Sequence, residues 1–157
     1  MVPRSLWDKM VAHCLDGLPL EACGLLAGQG EQVCEAYPAT NAARSARVYT
    51  VEPRDLLIAD RAAEAAGLSL IGAWHSHTHS PAYPSPTDVV QAPDPDWHYV
   101  IVSLSDLEPV VRSYRVVAGA VEEEPVVMPA PVRQQELGGV KTTSHPSADN
   151  LFGQPGG

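Results

Sequence analysis

Basic side chains are scarce in this 157-residue chain. Ten Lys and Arg stand against nineteen Asp and Glu, for a formal net charge of −9. That deficit argues against sequence-independent binding to nucleic acid or to an anionic membrane. No run approaches the roughly 20 apolar residues that cross a bilayer. The opening, Met-Val-Pro-Arg-Ser-Leu-Trp7, lacks a signal peptide's apolar region. Cysteine is sparse too: Cys14, Cys23 and Cys34 are odd in number and widely spaced. With no Cys-x-x-Cys pair, a zinc ribbon or finger is excluded, and reduced thiols in a cytoplasmic protein are the simplest reading. No internal repeat is visible, and the length suits one domain that buries about two thirds of its unfolded surface.

What the chain does have is His75-Ser76-His77, followed after seven residues by Ser85-Pro86-Thr87-Asp88. Just upstream, Ser69–Trp74 is an apolar run that reads as a buried strand. If the strand continues through His77, a period of two sends both imidazoles to one face. Two imidazoles at a strand end can bind one metal ion, with Asp88 as a third, anionic ligand. Three protein ligands leave one tetrahedral position open, the mark of a catalytic rather than a structural zinc site. Ser85-Pro86-Thr87-Asp88 is also a good helix start, with Ser at the N-cap, Pro at N1 and Asp at N3. The two readings are compatible, because a capped start would hold Asp88 rigidly near the loop after His77.

Other chemistries fit less well. A metallo-β-lactamase-like site wants His-x-His-x-Asp-His, but positions 79 and 80 are His and Ser. An amidohydrolase barrel needs roughly 250 residues. A His-Glu-x-x-His helix is absent.

The spacing of His75, His77, Ser85 and Asp88 resembles the motif of the JAMM, or MPN-plus, metalloprotease family. Upstream, Glu21-Ala-Cys-Gly-Leu-Leu-Ala-Gly28 is similar to the strand that carries that family's catalytic Glu. The resemblance covers roughly residues 4 to 128. It implies zinc on His75, His77 and Asp88, Glu21 as general acid/base, and Ser85 as transition-state stabiliser. His79, inside the spacer, is expected to face solvent. Taken alone, Glu21 would pass for an exposed acid before a strand, and Ser85 for a cap. Cys23 is expected to be a small buried strand residue. His13 and His98, without acidic partners nearby in sequence, are assigned structural or surface roles.

The element order is α/β. Residues 4–16 have helical apolar spacing; 22–27 and 32–37 read as strands, and 41–46 as a loop before a short strand at 48–51. Pro53 opens a helix ended by Gly67. After the strand to His77 comes a short helix stopped near Pro93, a turn at Asp94–Asp96, and strands at 97–104, 109–117 and 120–128. The Glu122–Glu124 cluster reads as a solvated edge. This order suits an α+β, MPN-type fold: a curved, mainly antiparallel sheet flanked by helices. Residues 1–128 are the expected catalytic domain. The segment 129–157, rich in Gly, Pro, Ser and Thr, is an expected flexible tail.

The segments around Glu21, Tyr83-Pro84-Ser85, His98-Tyr99-Val100 and Arg112–Arg115 look like the short bacterial branch of the family. That resemblance implies a substrate: a ubiquitin-like sulfur-carrier protein with a Gly-Gly end, from which the enzyme releases cysteine. Processing of another ubiquitin-like modifier, as an isopeptidase or C-terminal protease, stays open. So does a non-catalytic MPN scaffold, since fold does not imply function.

Overall fold

The computed structural model describes residues 2–127; the expected tail, 129–157, lies outside the described residues. In chain order the elements are α1 (Arg4–Asp16), β1 (Cys23–Gln29), β2 (Gln32–Ala39), α2 (Pro53–Ala65) and β3 (Ser69–His77). They continue with α3 (Pro86–Gln91), β4 (His98–Ser103), β5 (Val110–Val117) and β6 (Ala120–Glu124). One six-stranded sheet has the order β2-β1-β3-β4-β5-β6. Every neighbouring pair is antiparallel except β3 and β4. The expected α+β architecture with a mainly antiparallel sheet is therefore present. No described helix is long and apolar enough to cross a membrane.

Period-two alternation on β3 sorts the two faces. Trp74 packs against Leu6, Met10 and Cys14 of α1, together with Leu26, Val100 and Val102. The i, i+4 spacing of Leu6, Met10 and Cys14 makes one stripe on α1. On the opposite face Ala73 packs with Leu25 and with Ala59 of α2. His75 and His77 share that second face by parity. Gly24 lies opposite Trp74 in the β1–β3 register. A Cβ there would sit 2.4 Å from the indole ring, so only glycine admits the tryptophan.

The parallel β3–β4 pair determines where the site lies. Parallel neighbours cannot be joined by a tight hairpin, so the chain must travel back before β4 can begin. Residues 78–97 make that return and carry α3. The segment leaves the sheet directly after His77, which is why Ser85 and Asp88 come back to the end of β3.

Two expectations need correction. No strand forms at 48–51; only an isolated bridge pairs Asn41 with Val51. The side chain of Asn41 takes the backbone partners instead, accepting from Ala43 N and Thr50 N and donating to Val48 O. The last strand stops at Glu124 rather than 128, because Pro125 has no N–H to continue the ladder.

Candidate metal centre

Three ligand atoms converge beyond the end of β3. The Nε2 atoms of His75 and His77 are 3.1 Å apart. Asp88 Oδ1 is 3.5 Å from His75 Nε2, and Asp88 Oδ2 is 3.3 Å from His77 Nε2. A tetrahedral zinc ion with bonds of 2.0–2.1 Å has ligand–ligand edges of about 3.3 Å. All three contacts lie near that length, and this group fits a metal site.

Hydrogen bonding aims the ligands. His77 Nδ1 donates to the Pro81 carbonyl at 2.8 Å, leaving Nε2 as the lone-pair atom of the neutral ring. His75 stacks on Tyr49, with ring centroids 4.2 Å apart and planes at 18°. Burial holds the His75 imidazole below its ordinary pKa and so favours the neutral ring a metal requires. Burial works the same way on His77, but Asp88 and the Pro81 carbonyl outweigh it and raise that pKa. Burial alone would raise the Asp88 carboxyl; hydrogen bonds with His75 and His77 reverse this and keep it ionised well below the usual range.

Both readings of Ser85–Asp88 hold at once. Ser85 caps α3, its Oγ accepting from Asp88 N at 3.2 Å while Asp88 Oδ2 accepts from Ser85 N at 2.7 Å. The capping box fixes the carboxylate that faces the imidazoles. Because Ser85 Oγ acts as acceptor in that box, its O–H is left to donate elsewhere.

Glu21 is no exposed acid. It retains only 4% exposure, and its Oε2 has no hydrogen-bond partner among the described residues. Cys23 pairs with His75, so two more steps in that register set Glu21 across from His77. Burial pushes the Glu21 carboxyl up to about 7, with Asp88 adding to the rise and His77 opposing it. Its backbone is held on both sides: Glu21 N donates to Ser45 O, and Asn41 Nδ2 donates to Glu21 O, each at 2.9 Å. Ser76 fastens the next residue twice. Ala22 N donates to Ser76 Oγ at 2.8 Å, and Ser76 N donates to Ala22 O at 2.9 Å.

A cavity of about 490 Å³ opens beside this group, lined by Glu21, His77 and Ser85 among others. His79 is exposed and lines its rim, with Nδ1 2.7 Å from Thr78 Oγ1. Cys23 is an inert structural thiol, pushed up to about 12 by burial. His13 sits edge-on to Trp74. His98 does have acidic partners, but they come from distant residues: Glu124 at 2.8 Å and Glu31 at 3.5 Å. Glu124 also accepts from Arg115 and Ser113, so it is not a solvated edge residue as expected.

Sequence reading missed Asn41, Tyr49 and Ser76 as parts of the site. Only Ser76 left a usable signal: between two same-face histidines it must point to the opposite face, where a buried hydroxyl needs partners.

The chain is 46% identical over 129 residues to the CysO-cysteine peptidase of Mycobacterium tuberculosis, covering 80% of this chain and 88% of the relative. It is 42% identical over 92 residues to a probable TtuB-protein conjugate cleaving protease of Thermus thermophilus, covering 58% and 62%. A solution structure of a protein from Desulfitobacterium hafniense superposes with a TM-score of 0.76 at 32% identity, covering 86% of this chain and 97% of that one. A JAB1/MPN domain protein from Archaeoglobus fulgidus shares the fold, with a TM-score of 0.57 at 18% identity and coverage of 82% and 97%. Residues 3–117 match the family model of prokaryotic homologs of the JAB domain. The chain, built on that fold and carrying the His-His-Asp group where the family resemblance places its metal, belongs to the prokaryotic JAB-domain family of JAMM-type proteins.

Proposed function

We propose that this chain is a zinc-dependent peptidase that hydrolyses the amide bond after the C-terminal Gly-Gly of a ubiquitin-like sulfur-carrier protein, releasing cysteine. The observation that carries the reading is the buried carboxyl of Glu21, its Oε2 without a partner among the described residues, beside the convergent His75, His77 and Asp88 atoms. Those three residues would hold the zinc. When bound, zinc polarises a carbonyl and lowers the pKa of water from about 15.7 to about 7.

This chain's residues supply the rest. Glu21, with a pKa near neutrality, takes the proton of the attacking water and delivers it to the leaving amine nitrogen. The C–N bond breaks as that proton arrives. The Ser85 hydroxyl donates to the carbonyl oxygen as charge develops on it; loss of such a donor costs about 10²–10³ in rate elsewhere. The apolar cavity walled by Tyr49, Val51, Trp97 and Tyr99, about 340 Å³, suits the extended carrier end. The name of the Mycobacterium tuberculosis relative supports the cysteine-releasing branch, and a cytoplasmic location follows from that reading. A scaffold role would leave the full ligand set and the buried Glu21 without purpose.

The test is direct. Zinc-loaded protein is mixed with a carrier ending in Gly-Gly-Cys, and released cysteine is followed by mass spectrometry. Glu21→Gln, nearly isosteric, should keep the metal and lower turnover by about 10²–10⁴-fold. Near-normal turnover in that variant would remove Glu21 from the mechanism.

A further inference from the structure

We propose that Arg47 forms a subsite for the free α-carboxylate of the leaving amino acid, making the enzyme selective for release of a single C-terminal residue. The inference rests on the proposed function and names the chemistry of the amine side of that site.

The general acid fixes which side this is. Glu21 must reach the leaving nitrogen, so the departing group occupies the cavity that Glu21 itself lines. That cavity, about 490 Å³, is bounded by Glu21, Ala46, Arg47, His77, Thr78 and Ser85 along with its rim residues. Arg47 is the only lysine or arginine among its lining residues. The cavity beside Tyr49, by contrast, has no charged side chain in its wall. The two halves of the substrate therefore meet different chemistry: an apolar channel on one side, a single guanidinium on the other.

Electrostatics make that guanidinium decisive. A carboxylate entering this cavity in a chain of net charge −9 gains from a cation within reach of its own oxygens, beyond any charge at the scissile carbonyl. Arginine meets a carboxylate with two parallel N–H donors, a geometry that lysine lacks. In an α-amino acid the carboxyl carbon is only two bonds from the amine nitrogen, so a carboxylate lies beside the scissile bond. A lysine ε-amine in an isopeptide carries no carboxylate at that distance.

The backbone around Arg47 is fixed, and its side chain is not spent elsewhere. Thr78 Oγ1 donates to Ala46 O at 3.2 Å, and Arg47 N donates to Ser45 Oγ at 3.1 Å. Asn41 Nδ2 holds Val48 O at 3.1 Å on the other side. Among the described residues the Arg47 guanidinium has no ion pair. Such a group, exposed on an anchored loop and lining the same cavity as the general acid, is placed to receive an anionic ligand.

Three substrates test this on one carrier: Gly-Gly-Cys with its free carboxylate, Gly-Gly-cysteinamide, and Gly-Gly joined to a lysine ε-amine of a peptide. The wild-type enzyme should prefer the free acid to the amide by ten- to about a hundredfold in kcat/KM, carried mainly by KM. Arg47→Gln should bring that ratio close to one, and Arg47→Lys should keep part of it. A second readout avoids turnover. In the Glu21→Gln background, adding Arg47→Gln should weaken binding of the acid substrate about tenfold or more, measured by fluorescence anisotropy, and narrow its advantage over the amide. Equal cleavage of acid and amide by the wild type, or an unchanged preference in Arg47→Gln, overturns the subsite alone. Cleavage of none of the three substrates overturns the proposed function and the subsite with it.

Discussion

Two histidine–carboxylate clusters sit at opposite ends of the β3–β4 pair. At one end His75, His77 and Asp88 converge; at the other His98 lies between Glu31 and Glu124. Each offers a nitrogen-and-oxygen donor set, yet the two differ in whether a cation is already supplied from within. In the second, Arg115 donates to Glu124 at 2.6 Å and to Glu31 at 3.1 Å, so a cation is already supplied. Hydrogen bonding to Glu124 raises the Arg115 pKa further and keeps the charge in place. At the other end, among the described residues, no lysine or arginine pairs with Asp88, and its carboxylate faces the two Nε2 atoms. Donor type alone does not distinguish the two clusters; the internal counter-ion does.

The largest effect should come from breaking the first cluster. His77→Ala should abolish both metal binding and turnover, and native mass spectrometry of the wild type should find one zinc per chain. Full occupancy in both His77→Ala and His75→Ala would show that the ion, if present, binds elsewhere. Next comes the loop that supports this end. Asn41→Ala removes a buried amide serving five backbone groups and should cost about 3 kcal/mol in denaturant unfolding, with turnover falling too because Glu21 loses its anchor. An effect below about 0.5 kcal/mol would mean that water replaces the amide without loss.

Arg115→Met sharpens the comparison from the other side. Stability should fall by about 1–2 kcal/mol, since a half-buried ion network loses its cation. The vacated cluster should then gain weak affinity for a second divalent ion, read by titration calorimetry. A wild type that already binds two ions per chain would erase the distinction between the ends. The smallest effect concerns pH. Glu21 accepts a proton only when ionised, and burial places its pKa at about 7. Activity should therefore decline as pH falls through that region, and a bound divalent cation would draw the limb to lower pH. A kcat/KM that is flat from pH 8 to pH 5 would contradict the assigned base.

The contrast also explains what the sequence made legible. His75, His77, Ser85 and Asp88 lie within fourteen residues, on a strand end and a helix start whose local rules are strong, so their meeting could be anticipated. Helices α1 and α2 announced themselves by apolar spacing and by Pro53. Glu124 did not, because its partners His98, Arg115 and Glu31 are joined only by strand register and by a β-hairpin turn distant in sequence. Asn41 misled for a related reason. Residues 48–51 have the composition of a strand, but one side-chain amide offered their backbone a better set of bonds than a neighbouring strand could. Tyr49, set on that same loop, was hidden with it.

One carboxylate in this molecule has two employers. Asp88 Oδ2 closes the first turn of α3 by accepting from Ser85 N and also faces His77, while Oδ1 faces His75. Its torsional freedom is therefore surrendered during folding, before any ion arrives. Metal capture then needs no loop to search for its ligands, and the entropic toll that slows many flexible sites has been met by the helix. Loading should be rapid and should leave the α3 backbone almost where it was, with amide chemical shifts changing by proximity to charge rather than by rearrangement.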